Sequence, residues 1–573
     1  MVSALLASFF FGFNAFVAAS CLASNTTYTN PILPGFHPDP SCIFVKEWDN
    51  TFFCASSSFE AFPGIPIHAS KDLQNWKLIG NVFNRPEQLP DLAFTNRSTS
   101  GIWAPAIRYH DDTFWLVTTL VFDNKTQNDS SRWDNIIFKT QNPYNQSSWS
   151  IPVHFPFEGY DTSPFWDDDG KTCMTGSHAY RVSFGIWQKT IDFETGKLGP
   201  EPWIDLWNGT GGTAPEGPHI YKKDGWYYLM IAEGGTGLTH EETMARSRNI
   251  NGPYTPYSKN PVLTNANTTQ YFQTVGHADL FQDADGNWWG VALSTRSGPN
   301  YITYPMGRET VLTPVSWPED DYPNFDPVRG TQSGPLPPVN KNISGQGQFV
   351  DDDDHITFAP GTSFPLHFVH WRFPDPSAYV ISAPGHLNTL QLSPSLLNLT
   401  GHDGIYTGGE PQTLLARRQT DTLFTFSVDL EFTPTTMNEE AGVTVFLTQD
   451  HHMELGLVSL SNNGTSTPTL RFRAKSNIPV PQDVLSPVPA NWTSDLHMEI
   501  KAFNLTHYAF SAGPAGKMSL METIAYAPAS LVSYGFTGTL VGVYNTLNGG
   551  GQGNGTKAYI SNWNYQGQGQ FLD

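Results

Sequence analysis

Asp224-Gly225-Trp226-Tyr227-Tyr228 is a turn followed by an aromatic strand, and the chain repeats it. Asp-Gly ahead of alternating apolar residues is a hairpin signal, because both residues tolerate the left-handed backbone that a tight turn needs. Related stretches are Asp49-Asn50-Thr51-Phe52-Phe53, Asp111-Asp112-Thr113-Phe114-Trp115, Asp169-Gly170-Lys171-Thr172-Cys173 and Asp285-Gly286-Asn287-Trp288-Trp289. Their first residues are spaced 62, 58, 55 and 61 apart, a period that accommodates four strands with their loops. No long stretch keeps a helical period, which disfavours a bundle or a βαβ fold. The expectation is an all-β chain with a five-bladed β-propeller over residues 28–333.

Beyond this region the pattern changes. Residues 334–355 hold Gly-Pro-Leu-Pro-Pro, several Gly-Gln pairs and the acidic run Asp351 to Asp354, and read as a solvated linker or strap. The run lacks the spacing of a calcium loop. From 356 to 573 short strands return: Phe424 to Phe432 alternates strictly, followed by Val443 to Leu447, Leu470 to Arg473, Leu496 to Phe503 and Leu540 to Tyr544. Alternation of this kind marks strands with one buried and one wet face, and so many of them predict a β-sandwich.

The first residues address the chain to a compartment. Leu5 to Ala19 is apolar, too short to span a bilayer, and followed by the small residues Ala18, Ala19 and Ser20; residues 1–23 read as a signal peptide and predict a secreted, extracellular protein. Thirteen Asn-x-Ser/Thr acceptors spread over the chain agree with a glycoprotein. Cys42 and Cys54 flank one expected hairpin and could pair in that compartment. A net charge of −22 without any basic cluster disfavours nucleic acid as a partner, and no later segment could cross a membrane.

The repeat also locates the chemistry. In a propeller, residues just before the innermost strand of each blade converge on the axis. Eight residues before the turn aspartates stand Trp103, Asp161, Glu216 and His277, and Asp39 lies ten before the first. A lone Asp beside Pro is ordinarily a turn former. Acids at one phase of a repeat are not explained that way, since the hairpin turns carry their own separate aspartates. Gathered carboxylates without a phosphate-cradling loop, metal-ligand spacing or an activated nucleophile point to acid/base hydrolysis of a glycosidic bond, one acid held protonated and another ionised.

Asn30-Pro31-Ile32-Leu33-Pro34-Gly35-Phe36-His37-Pro38-Asp39-Pro40, Ser56 to Gly64, Gly101-Ile102-Trp103-Ala104-Pro105, Glu216-Gly217-Pro218 and Gly307-Arg308-Glu309-Thr310 together resemble glycoside hydrolase family 43. The C-terminal half, including Gly408-Gly409-Glu410 and Glu439 to Phe446, looks like the concanavalin A-like sandwich of that family's β-xylosidases. The resemblance implies Asp39 as general base, Glu216 as general acid and Asp161 as the residue that tunes and orients Glu216. It further implies that Phe59 and Trp103 wall the sugar subsite, that Arg308 holds substrate and acid, and that His277 lies at the channel centre, where some members bind calcium. No cofactor is otherwise required. The first motif, His37-Pro38-Asp39-Pro40, has Pro38 where many β-xylosidases of the family carry Ala before the Asp, which leaves the subfamily open. The implied activity is that of an inverting exo-glycosidase, a β-xylosidase or α-L-arabinofuranosidase acting on arabinoxylan or its oligosaccharides. The rival readings are a non-catalytic carbohydrate-binding propeller and a five-bladed retaining fructosidase.

Overall fold

The computed structural model describes residues 26–401, 410–462, 465–550 and 555–573. The expected leader at 1–23, Cys21, the acceptors Asn25, Asn463 and Asn554, and Gly408-Gly409 lie outside the described residues.

Five antiparallel sheets of four or five strands follow one another along the chain. Their first strands are Ser41–Val45, Ala106–His110, Gly159–Trp166, Glu216–Lys223 and Phe272–Gln282, and each is joined to its second strand by one of the repeated turns. The turn at Asp224 and Gly225 shows why the sequence chose those residues: φ is 52° and 70°, with Lys223 directly opposite Trp226. Two consecutive positive φ values give a hairpin whose twist matches its strands. The five first strands touch in a closed ring, the first against both the second and the fifth. This is a five-bladed β-propeller.

The N-terminus closes the ring. Thr26–Thr29 pairs with Thr331–Gly334, and the buried Asn30 side chain bonds Leu312 O, Leu312 N and Arg329 O on the fifth blade. Cys42 and Cys54 sit opposite each other in the first blade and form a disulfide.

The second domain is a β-sandwich of two eight-stranded sheets among the described residues. In Leu423–Glu431 the alternation places Phe424, Phe426, Val428 and Leu430 in the core between the sheets, with Trp563, Leu455 and Phe510. The other sheet turns its outer face to the propeller, where Leu414, Ala416, Phe446 and Leu540 meet Phe36 and Phe59. Its last strand belongs to the propeller chain: Ala61–Phe62 pairs antiparallel with Phe368–Trp371, Phe62 opposite His370 and Ala61 opposite Trp371. Beside this seam the Arg372 amide donates to Glu60 O at 2.7 Å, and its guanidinium pairs with the Glu60 carboxylate at 3.0 Å. Gly35 and Gly307 are glycines because sandwich backbone lies against them. A Cβ at either would stand 2.1 Å from Gln419 O or Thr537 O respectively.

The segment between the domains lies on the first blade, with Leu78 N bonded to Gln348 O and Val350 N to Trp76 O. Asp351, Asp352 and Asp353 are exposed, as a solvated acidic run should be. Asp354 departs from that reading. It is 2% exposed, pairs with Arg417 at 2.9 Å and accepts from Trp563 Nε1 at 3.1 Å. A buried carboxylate needs such partners, and the Arg417 guanidinium holds Asp354 well below the usual carboxylate range despite its burial.

Candidate active site

The acids at one phase of the repeat share a backbone conformation. Asp39, Asp161 and His277 each have φ of 52°, and Gly217, after Glu216, has 58°. In the third, fourth and fifth blades the pairing register slips at this point, between Tyr160 and Ser163, Glu216 and His219, and Gly276 and Asp279. Such bulges bend a strand and re-aim a side chain. Aspartate and histidine are among the non-glycine residues that tolerate left-handed φ best, and strain of this kind gathers at functional sites.

These side chains, with Phe59, Trp103, Tyr160, Arg308 and Phe536, line a pocket of about 930 Å³. Asp39 is held by a fork: Arg308 Nη1 reaches Oδ1 at 2.7 Å and Nη2 reaches Oδ2 at 3.3 Å, while Ser57 Oγ donates to Oδ2 at 2.6 Å. A guanidinium and a hydroxyl thus fix both oxygens of one buried carboxylate. Among the described residues, no cation lies at bonding distance from Glu216. Tyr160 OH approaches its Oε2 at 3.4 Å. Burial, then the charge of Asp39, lift Glu216 to about 7, with Arg308 opposing. Asp161 is also pushed well up, by burial and then by the charges of Glu216 and Asp39. Its bond is to the backbone, Gly217 N donating to Oδ2 at 3.2 Å, so Asp161 holds the chain that carries Glu216.

The motif Gly307 to Thr310 works as a clamp on the segment bearing Asp39. Arg308 pairs with Asp39 itself, Glu309 accepts from Gly35 N at 2.7 Å and is locked by Arg296, and Thr310 Oγ1 donates to His37 O at 2.7 Å. A similar brace serves Glu216. The buried Glu233 carboxylate accepts from Thr210 N and Gly212 N, in the loop before Glu216, and from Thr243 Oγ1. Glu233, Ser57 and Tyr160 escaped the sequence reading, because the repeat marks the phase of the acids and not their supports.

Phe536 escaped for another reason: it comes from the sandwich. Its ring stacks on Phe59 at 5.9 Å between centroids, and its carbonyl accepts from Arg308 Nε at 2.9 Å. Trp103 stands edge-on to Tyr160 at 5.5 Å and completes the aromatic wall.

His277 lies against Gly217, its Nδ1 3.9 Å from Asp39 Oδ1, and burial lowers its pKa so that the ring stays neutral. The donor set around it does not fit calcium. The next carboxylate on the strand, Asp279, has both oxygens occupied: by Arg108 at 2.8 and 3.1 Å, by Ser41 at 2.6 Å and by Tyr221 at 2.7 Å. A fixed guanidinium already supplies the positive charge there, and a divalent ion would be repelled by it.

Residues 28–323 match the family described as Glycosyl hydrolases family 43, which is more than half of the chain, and 356–566 match the Beta xylosidase C-terminal Concanavalin A-like domain. The chain belongs to glycosyl hydrolase family 43. This family 43 glycosidase is 33% identical over 536 residues to a non-reducing end alpha-L-arabinofuranosidase of Bacteroides ovatus, with 93% of each chain covered. It is 32% identical to a xylosidase/arabinosidase of Humicola insolens, covering 91% of this chain and 95% of that one. Among solved structures, the xylan beta-1,4-xylosidase from Bacillus halodurans superposes with a TM-score of 0.81 at 26% identity, covering 94% of this chain and all of that one. All seven residues singled out from the sequence, Asp39, Phe59, Trp103, Asp161, Glu216, His277 and Arg308, line this same pocket.

Proposed function

We propose that this glycosidase is a secreted, inverting exo-enzyme that removes terminal pentose units, xylose or arabinose, from arabinoxylan-type chains. The observation that carries the reading is the contrast between two carboxylates in one pocket: Asp39 forked by Arg308, and Glu216 raised to about 7 with no cation bonded to it. Asp39, as base, takes a proton from water as its oxygen attacks the anomeric carbon. Glu216, as acid, gives its proton to the departing glycosidic oxygen, and the product carries the opposite anomeric configuration. Asp161 keeps Glu216 in place through Gly217 N. The pocket closes on the sandwich side at Phe536, which favours chain-end over mid-chain binding. Names of relatives that join xylosidase and arabinosidase activities support a pentose without choosing between the two. The acceptors Asn124, Asn128, Asn145, Asn208, Asn267, Asn342, Asn491 and Asn504 are exposed, which supports glycosylation along a secretory route.

Release of nitrophenol from the β-D-xylopyranoside and the α-L-arabinofuranoside identifies the sugar. Proton NMR of the first product formed reads its anomer, and a retained configuration would reject single displacement.

A further inference from the structure

Between the two domains, behind the segment that bears Asp39, lies a second and much smaller cavity of about 40 Å³, lined by His37, His68, His367, Arg417, Arg418 and Thr420 among others. Since one water needs about 10–15 Å³ of such volume, the space suits a guest of one or a few atoms.

The charges around this cavity do not balance. Arg417 is paired with Asp354 at 2.9 Å, and its Nη2 donates to Thr420 Oγ1 at 3.0 Å. Arg418, on the same strand, has no carboxylate within ion-pair distance among the described residues. It is 6% exposed, its Nε donates to Phe36 O at 2.9 Å, and its Nη2 has no hydrogen-bond partner. The Nδ1 of His68, 3% exposed, is also unpartnered. The three histidines do not supply an opposing charge. Burial lowers all of them, His68 to about 3, and the cation Arg418 pushes His37 and His68 further in that direction. The Arg418 guanidinium therefore has no ion-pair partner among the described residues and keeps an unmet donor beside a half-open cavity. A buried unpaired charge is costly, and proteins ordinarily pair it.

We propose that this cavity binds a small monovalent anion of chloride size between the domains, with the Arg418 guanidinium as its charge partner and His68 Nδ1 as a second donor. A monovalent guest cancels the one uncompensated charge. The space admits an anion of at most a few heavy atoms, and a cation is repelled. The anion would fasten the sandwich to the propeller at the loop Phe36-His37-Pro38-Asp39, since Arg418 Nε already holds Phe36 O.

The test uses the full chain, dialysed into sodium gluconate and titrated with sodium chloride at constant ionic strength. The melting temperature should rise along a saturable curve with chloride and with bromide and stay flat in gluconate, as expected for a ligand of the native state. In R418M, which keeps an unbranched apolar stem without the charged guanidinium, the chloride concentration for half-effect should increase at least ten-fold. Crystals grown with sodium bromide should show an anomalous peak at Arg418 Nη2, a readout that holds even where R418M fails to fold. Equal melting temperatures in chloride and gluconate, or the absence of bromide at Nη2, would overturn the proposal.

Discussion

Arg308 holds Asp39 by both carboxylate oxygens, Nη1 to Oδ1 at 2.7 Å and Nη2 to Oδ2 at 3.3 Å, across 269 positions of sequence. The fork joins the last blade to the first, and its third arm, Nε to Phe536 O, joins both to the sandwich. Base, blade closure and domain contact thus share one side chain.

Arg308→Met should lower kcat/KM by about 100-fold or more, because it leaves Asp39 without the fork that orients it, and should also cost about 3–5 kcal/mol of stability as the loss of one partner of a buried pair. Arg308→Lys should recover little of it, since an ammonium cannot reproduce the fork. Steady-state kinetics on the nitrophenyl pentoside checks both.

Glu216→Gln should reduce kcat by about 10²–10⁴-fold, the usual worth of a general acid. The pentoside with the best leaving group should suffer least, as it needs the proton least. Equal losses across a leaving-group series would assign the acid elsewhere.

Activity should decline as pH rises through about 7, where Glu216 gives up the proton it must deliver. In Asp39→Asn the titration of Glu216, followed by carboxylate NMR in labelled protein, should move downward, because the charge that helps lift it is gone.

The same lift has a stability counterpart. Glu216 binds its proton more tightly in the folded chain than in the unfolded one, so its contribution to stability is lost as pH rises from its ordinary value to about 7. Glu216→Gln should therefore melt higher than the parent at about pH 8, by a difference on the order of 1–3 kcal/mol, and nearly level with it at about pH 4. Calorimetry at the two pH values reads the difference.

Phe536→Ala should raise KM and lower kcat/KM by about 10-fold or more, as befits loss of an aromatic contact and of a wall that excludes water. A chain ended before Asp354 should lose more than that variant, since Phe36 and Phe59 would be stripped of cover and Ala61–Phe62 would lose its partner strand.

The propeller and three of its carboxylates were legible in the sequence because the repeat acts locally. Each hairpin turn needs Asp or Gly at positive φ, and each inner bulge needs Asp, His or Gly there too, so both leave a periodic trace at Asp224 and at Asp161 alike. Arg308, Phe59 and the division of roles needed the family resemblance, for they follow no period. Phe536 and Glu233 left no trace, because a residue that acts through a contact from another domain or from a neighbouring loop looks like any other. Asp354 misled for the same reason: in a row of four aspartates only its tertiary partner, Arg417, distinguishes the buried one.

The two-residue strand Ala61–Phe62 carries a consequence for anyone recombining such enzymes. Its hydrogen-bonded partner, His370–Trp371, lies in the other domain, so the unit that can be exchanged between relatives is not a domain. A chimaera cut cleanly in the strap would bring together a sheet edge and a guest strand that were never matched in register. Donor and acceptor sequences would have to be transplanted as a pair, with residues 59–62 travelling alongside 368–372, before substrate preference could be shuffled without losing the wall of the pocket.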